Sequence, residues 1–443
     1  MRIKLGVPMQ LKRIAELING IITVDDATIT HVTTDTRTAL PGDLFIADQK
    51  GLAYLTEAKR LGAYTLSAEQ DSCIIVKDSA DVLLKFAKEY VRNLPYILYK
   101  IGISGSVGKT TTKEFLKIIL SERFKVHANE GNFNNEIGMP MSILQTPLDT
   151  QVIIMEMGMN HAGEIKKLSE CLTPDIGIIT NIGTSHIGNL GSREAIAGAK
   201  LEILSGMVGG QIFVPYGEKL LQNVSGKLTV SVESLNSDYT LLSHDGEVSL
   251  FSDNTEIFTS PFALAEKHHL NSLAFATGVG AYLGLTRDEL SSGSSRISAD
   301  NTRQSMIFKK NYHFLSDCYN ASYESVIALL ETAELDRRHA IKAIIIGDIL
   351  ELGRFTEDLH VAVGRVIGSS VFSHIFLLGE YAKYVKIGIE KTDFPKDCIF
   401  INDNISRPDI TARQIKEHCE ANEIIYMKAS RALRLERILD YFD

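Results

Sequence analysis

Tryptophan is absent from the 443-residue chain, and cysteine is sparse: five residues, at 73, 171, 318, 398 and 419, with no C-x-x-C pair. An odd, scattered set of this kind reads as free thiols in a reducing compartment. No run of about 18 uninterrupted apolar residues occurs, so no membrane-spanning helix is expected. The opening "MRIKLGVPMQLKRIAELING" is broken by Lys, Arg and Glu and lacks the continuous apolar core of a signal peptide. An excess of positive charge is also missing. With 46 basic and 55 acidic side chains the formal charge is −9, which argues against general nucleic-acid binding, because phosphate backbones demand a basic face. A local basic pocket remains open. Internal repeats and long low-complexity segments are absent. These absences lead us to expect a soluble, cytoplasmic protein without membrane insertion.

What is present is a 44% hydrophobic content over a length suited to two to four domains. Residues 1–95 read as a small mixed domain. Residues 11–18 have helical spacing, 33–47 read as strand, turn, strand around Pro41-Gly42, and 57–63 and 81–94 are amphipathic helices. From residue 96 to 298 short apolar runs (96–103, 152–157, 176–182, 212–214) alternate with helical patterns, the signature of a buried parallel sheet wrapped by helices. A β- and turn-rich stretch at 219–262 and a helix at 269–284 follow. The small, polar "SSGSSRISADN" (291–301) reads as a linker. Over 299–443 the alternation resumes, with apolar runs at 313–317, 343–348, 374–379, 398–401 and 423–428. The expected fold is α/β with three domains: a small mixed N-terminal domain, a central P-loop-type parallel-sheet ATPase domain and a C-terminal Rossmann-like domain.

"GISGSVGKTTTKEF" (102–115) sits between an apolar strand and an amphipathic helix. Gly105 and Gly108 let backbone N–H groups turn inward, and the helix N-terminus adds its positive dipole end. Lys109 would reach terminal phosphates, and Thr110, followed by Thr111, would offer a hydroxyl to Mg²⁺. The spacing is G-x-x-G-K-T, since Ile103 stands where the longer P-loop pattern has its first glycine. A Mg²⁺-nucleotide site needs hard oxygen ligands. Glu156 ends the next apolar run, at the carboxyl edge of a parallel sheet, where ligand-binding residues gather. His186 also falls just past a strand.

These stretches, with "GNFNNEIGMP" (131–140), "EMGMNHAGEI" (156–165), "NIGTSHIGNLGS" (181–192), "AKLEIL" (199–204), "DCYNAS" (317–322), "GDILELG" (347–353) and "KASRALRLE" (428–436), resemble the Mur ligases. The combination of N-x-N-N-E-x-G, D-x-Y-N-A and G-D-x-x-E-L-G is similar to the branch that adds D-Ala-D-Ala. The resemblance is strong over roughly 100–440 and weak over 10–65. It implies an ATP-dependent amide ligase of peptidoglycan precursor synthesis. ATP would phosphorylate the terminal carboxylate of a UDP-MurNAc-peptide, and the amine of D-Ala-D-Ala would attack the acyl phosphate. It further implies Mg²⁺, small-molecule substrates only, and a monomer.

The resemblance also distributes roles. Lys109, Thr110 and Glu156 match the phosphate-loop lysine and the ligands of a first Mg²⁺. His186 matches a ligand of a second Mg²⁺, and Lys200 a lysine that is N-carbamylated and helps hold it. Asn271 matches an adenine contact, Arg303 and Asp317 positions near ribose and phosphates. Lys428, Ser430 and Arg431 match the segment lining the closed site. Asn134, Asn135 and Glu136 match a loop facing the muramyl peptide, and Asp35, Thr36 and Arg37 the uridine-binding turn. Local readings stand beside these: Asp317 as a helix cap, Arg431 as a solvated helix residue, Lys200 as an exposed helix lysine, the asparagines as turn formers, Asp35 and Arg37 as partners holding their own turn. "AEKHHLN" (265–271) keeps only the last Asn of G-x-H-N-x-x-N, and "DQKGLAYLTEAKRLGA" (48–63) lacks the family's Gly-Glu and Asp-Gly-His. A related ligase joining another carboxylate and amine, or a nucleotide-binding partner protein without catalysis, are the alternatives.

Overall fold

The stretch "VIIME" at 152–156 has every side chain buried, which an amphipathic strand with one wet face could not show. It needs cover on both faces, as in a parallel sheet between helices. Each fully buried Ile or Val in it is worth about 1.5–3 kcal/mol of transfer free energy. The computed structural model describes all residues except Ala265, Ala421, Asn422 and Asp443. The described chain divides into two compact units, one of residues 1–104, 120–179 and 199–213, the other of 105–119, 180–198 and 214–443.

In the first unit the strands run in the order Gln211–Pro215, Ile176–Ile179, Tyr99–Ser104, Val152–Glu156, Val126–Ala128. All of these pairings are parallel. Ile103 pairs with Glu156, so the carboxyl ends of these two strands lie side by side. The N-terminal sheet of this unit has the order Arg2–Gln10, Thr28–Thr33, Leu44–Ile46, Tyr64–Ser67, Ile74–Ile75, Ile21–Ile22. The Pro41-Gly42 turn forms as the sequence predicts. Asp43 N donates to Leu40 O at 3.1 Å, and Gly42 takes φ +83, which a glycine supplies without steric cost. Asp43 then anchors the turn by accepting from Arg2 Nε and Nη2, at 2.7 and 3.0 Å, and from the Leu40 N–H. Residues 36–38 form a 3-10 turn rather than strand, with Asp35 as its cap.

In the second unit Tyr239–His244, Glu247–Ser252 and Thr255–Pro261 form an antiparallel meander. Asp245-Gly246, both at positive φ, make its first tight turn. The C-terminal sheet runs Ser305–Lys309, Tyr312–Ser316, Ile424–Lys428, Lys342–Gly347, His374–Leu378, Ile399–Asn402. Its first pair is antiparallel and the rest parallel. Its core includes Phe314, Ile345, Phe376, Met427, Ile438 and Phe442. One expectation is corrected here. Much of 291–301 is not a linker, because Arg287–Ser295 is a helix with Leu290, Gly293 and Ser294 buried. Thr286 and Glu289 close a capping box on its N-terminus, and this outweighs the small polar composition.

Candidate active site

Within the second unit, the loop at 105–108 leads directly into the helix Lys109–Leu120. Gly105 has φ +147, and a Cβ there would lie 1.8 Å from Thr180 Oγ1. Gly108 has φ +79. Both positions therefore need glycine, and the chain closes into the narrow turn that admits an anion to the first helical turn. Asn181 fixes the loop's shape. Its Oδ1 accepts from Ser106 N and Val107 N at 3.1 and 3.0 Å, and its Nδ2 donates to Val107 O. Lys109 Nζ folds over the loop and donates to Gly105 O at 2.7 Å and Ser106 O at 3.3 Å. Arg303 donates to Thr110 Oγ1, and its guanidinium stacks 3.8 Å above the Tyr319 ring. Two cations thus converge on residues 105–110, while Thr111 follows in the first helical turn. The donor set and the glycine cradle fit a phosphate chain.

The loop bearing His186 packs on the same turn: Gly183 N donates to Ser106 Oγ at 2.9 Å. His186 itself holds φ +62, the left-handed region. Its Nδ1 lies 2.5 Å from Glu351 Oε2. Asn271 is exposed in the early part of helix Lys267–Tyr282, and its neighbour Ser272 lies beside Gly108. Loss of solvation pushes His268 down to about 3, with His269 adding to the shift, so this ring is neutral. "AEKHHLN" begins at Ala265, outside the described residues.

Farther along this unit, Lys428 Nζ donates to Asp317 Oδ2 at 2.7 Å, with the Lys428 side chain 3% exposed. Asp317 does not cap the following helix; Ser322 does, through the N–H of Ser325. Ser430 is buried and structural in this arrangement. Its N–H donates to Asp348 O, and its Oγ accepts from Leu350 N at 2.9 Å. Burial pushes the Asp348 carboxyl up, while the N–H groups of Glu380 and Tyr381 donate to it. Arg431 is solvated and pairs with Glu436.

Within the first unit, Glu156 is 1% exposed at the end of its strand. Asn134 Nδ2 donates to its Oε1 at 2.7 Å, and Asn129 brackets its backbone, accepting from Glu156 N and donating to Glu156 O. A buried carboxylate steered by an amide fits a hard divalent cation. Asn135 instead accepts from Ile137 N and Gly138 N, turning the chain into the helix Gly138–Leu144. Glu136 pairs with Lys167 at 3.2 Å, and Lys167 also reaches Asp81. Lys200 is 2% exposed near the end of its helix, so it is not the exposed helix lysine of the local reading. Two residues on, Glu202 accepts from Gly163 N and Lys166 N, fixing the start of helix Glu164–Leu172. Asp35 accepts from Arg37 through three hydrogen bonds to the guanidinium, and this pairing holds its carboxyl well below the usual range. Arg37 is 87% exposed, and Thr36 lies between the pair in the 3-10 turn.

Sequence reasoning assigned no role to Asn181, Glu324 or Glu351. Asn181 stands inside a stretch quoted for its resemblance, and Glu351 inside another, but their partners lie far along the chain.

The comparisons with known proteins agree with one another. Residues 103–279 match the Mur ligase middle domain. The UDP-N-acetylmuramoyl-tripeptide–D-alanyl-D-alanine ligase of Bacillus subtilis (strain 168) is 32% identical over 97% of this chain and 97% of its own. That of Escherichia coli (strain K12) is 28% identical over 84% and 86%. The crystal structure of MurF from Acinetobacter baumannii superposes with a TM-score of 0.86 at 23% identity, covering 99% of both chains. MurF ligase from Thermotoga maritima in complex with ADP gives 0.79 at 25% identity, covering 93% and 96%. The chain belongs to the Mur ligases, in their MurF branch.

Proposed function

We propose that this enzyme joins D-Ala-D-Ala to the terminal carboxylate of a UDP-MurNAc-tripeptide, with hydrolysis of ATP to ADP and phosphate. The observation that carries the reading is the glycine cradle of 105–108 with Lys109, Thr110 and Arg303 around it. A carboxylate is a poor electrophile at neutral pH. In the first step a substrate carboxylate oxygen attacks the γ-phosphorus and ADP leaves. In the second the neutral amine of D-Ala-D-Ala attacks the acyl carbon, loses a proton, and phosphate departs with the former carboxylate oxygen. Lys109 and Arg303 offset the charge on the transferring phosphoryl group. Asn134 holds the Glu156 carboxylate for the cation. Asn271 faces the base, and Asp317 lies near the ribose and phosphates. Bound Mg²⁺ would neutralise phosphate charge, with Thr110, Glu156, His186 and carbamylated Lys200 as ligands.

Asn135 and Glu136 shape the peptide-facing loop, and Asp35, Thr36 and Arg37 the uridine end. Lys428, Ser430 and Arg431 belong to the C-terminal segment that lines the closed site. The division at 95/96 and 298/299 into three domains belongs to this proposal, as do a cytoplasmic location and a monomeric state. Among the described residues no helix is long and apolar enough to cross a membrane. The test is phosphate release with ATP, UDP-MurNAc-tripeptide and D-Ala-D-Ala, each omitted in turn. Release that requires all three supports the reading. Release indifferent to the dipeptide, or satisfied by another amine, assigns the core to a different ligation.

A further inference from the structure

His186 is a non-glycine residue at φ +62, a conformation that costs on the order of 1 kcal/mol and persists only where the surroundings over-determine it. The surroundings here are specific. On one side Gly183 N and Ser185 Oγ bind Ser106 of the phosphate loop. On the other, Glu324 takes both donors of Thr184: its Oε1 accepts from Thr184 N at 2.8 Å and its Oε2 from Thr184 Oγ1 at 3.0 Å. Glu351 meets the loop again through its backbone, since Gly188 N donates to Glu351 O at 2.9 Å, and through its carboxylate at His186 Nδ1. Arg354 closes the contact by donating to Gly191 O at 3.2 Å.

The approach is as close as backbones permit. A Cβ on Gly188 would meet Gly353 N at 2.5 Å, one on Gly353 would meet Gly188 Cα at 2.9 Å, and one on Gly183 would meet the Glu324 carboxyl carbon at 2.6 Å. Glu351 is itself left-handed, at φ +63. Ordinary surface packing does not require three glycines and two strained residues at one contact. The arrangement makes sense if the position of a single side chain matters.

We propose that Glu324 and Glu351 are positioning residues for the ligation reaction. They clasp residues 183–191 and hold His186 in its left-handed conformation, its ring presented for the divalent cation that accompanies the nucleotide. This rests on the ligase reading of the site, in which His186 is a metal ligand. Neither glutamate touches substrate; each acts through the loop.

The test is amide hydrogen exchange on the full chain, free of metal and nucleotide, for Glu324→Gln and Glu351→Gln, each isosteric and uncharged. Gly353→Ala, which wedges the clasp with a Cβ at φ +54 and changes no charge, is the third variant. Exchange at Thr184 and Gly188 is expected to quicken about tenfold, the factor that weakening one hydrogen bond to a charged group produces. Exchange in the helix Lys267–Tyr282 and the strand Val152–Glu156 should stay as in the wild type. In the ligation assay kcat should fall with little change in the KM for ATP. Unaltered exchange at 183–191 in all three variants would overturn the proposal. So would a loss of protection spread over the whole chain, or faster local exchange with kcat unaffected. If the wild type joins no dipeptide, the ligase reading fails, and the exchange result still reports on the clasp separately.

Discussion

Two short polar stretches, residues 105–110 and residues 35–43, both looked like binding turns, and they differ in how their polar groups are satisfied. In the phosphate loop the glycines are forced by sterics, and the polar partners come from far along the chain, Asn181 and Arg303 among them. At 35–43 each carboxylate takes a partner from within the turn, Asp35 from Arg37 and Asp43 from Leu40 N, with Arg2 and the Met1 amino group adding to them from the N-terminus. Long-range satisfaction around a glycine turn is what the ligand reading of 105–110 requires. Local satisfaction marks a turn that would hold its shape with or without a ligand.

The largest expected break in that comparison is Lys109→Ala. Removing the ammonium takes away the positive charge over the phosphates and the tether to Gly105 and Ser106, so turnover should drop by about a thousandfold. Near-normal phosphate release by the folded variant would return the loop to the class of ordinary turns. Next is Lys200→Ala, expected to cost about a hundredfold in kcat. Lys200 is buried, and as the proposed carbamate ligand it would carry reversed charge and supply two hard oxygens. Partial rescue by formate checks this, and a fully active alanine variant contradicts it. Asn134→Ala should leave ATP binding intact while raising the Mg²⁺ concentration for half-maximal rate about tenfold, because Glu156 loses its steering amide. A magnesium titration with no displacement would make Asn134 a turn former like Asn135. Smallest is Arg37→Ala. The side chain is exposed and self-paired, so a rise of about threefold in the dissociation constant of the UDP-substrate is expected, the scale of a solvent-exposed charge contact. Lower thermal stability with unaltered affinity would assign the residue to its turn alone.

The same contrast explains what could be read in advance. Strands such as Val152–Glu156 and the Gly105–Thr110 cradle are written in short windows, as apolar runs and glycines at fixed offsets. The clasp is not, since Glu324 and Thr184 are 140 residues apart and only folding unites them. The helix Arg287–Ser295 was hidden by its serines, although Thr286 and Glu289 had the spacing of a capping box. Asp before a helical run is a common cap, a preference that Asp317 fits. The cap went to Ser322, and Asp317 became the partner of a buried lysine. Composition informs on average preference, whereas the choice between two capping residues is settled by packing.

The central claim is that the cradle serves to activate a carboxylate. It is tested most directly by labelling the terminal carboxylate of the UDP-MurNAc-tripeptide with ¹⁸O and following the isotope through one turnover with ATP and D-Ala-D-Ala. Attack on the γ-phosphorus followed by displacement by the amine leaves a single carboxylate oxygen in the released phosphate. Inorganic phosphate carrying one ¹⁸O per molecule is the expected result. Phosphate free of the label, alongside formation of the amide product, would contradict it.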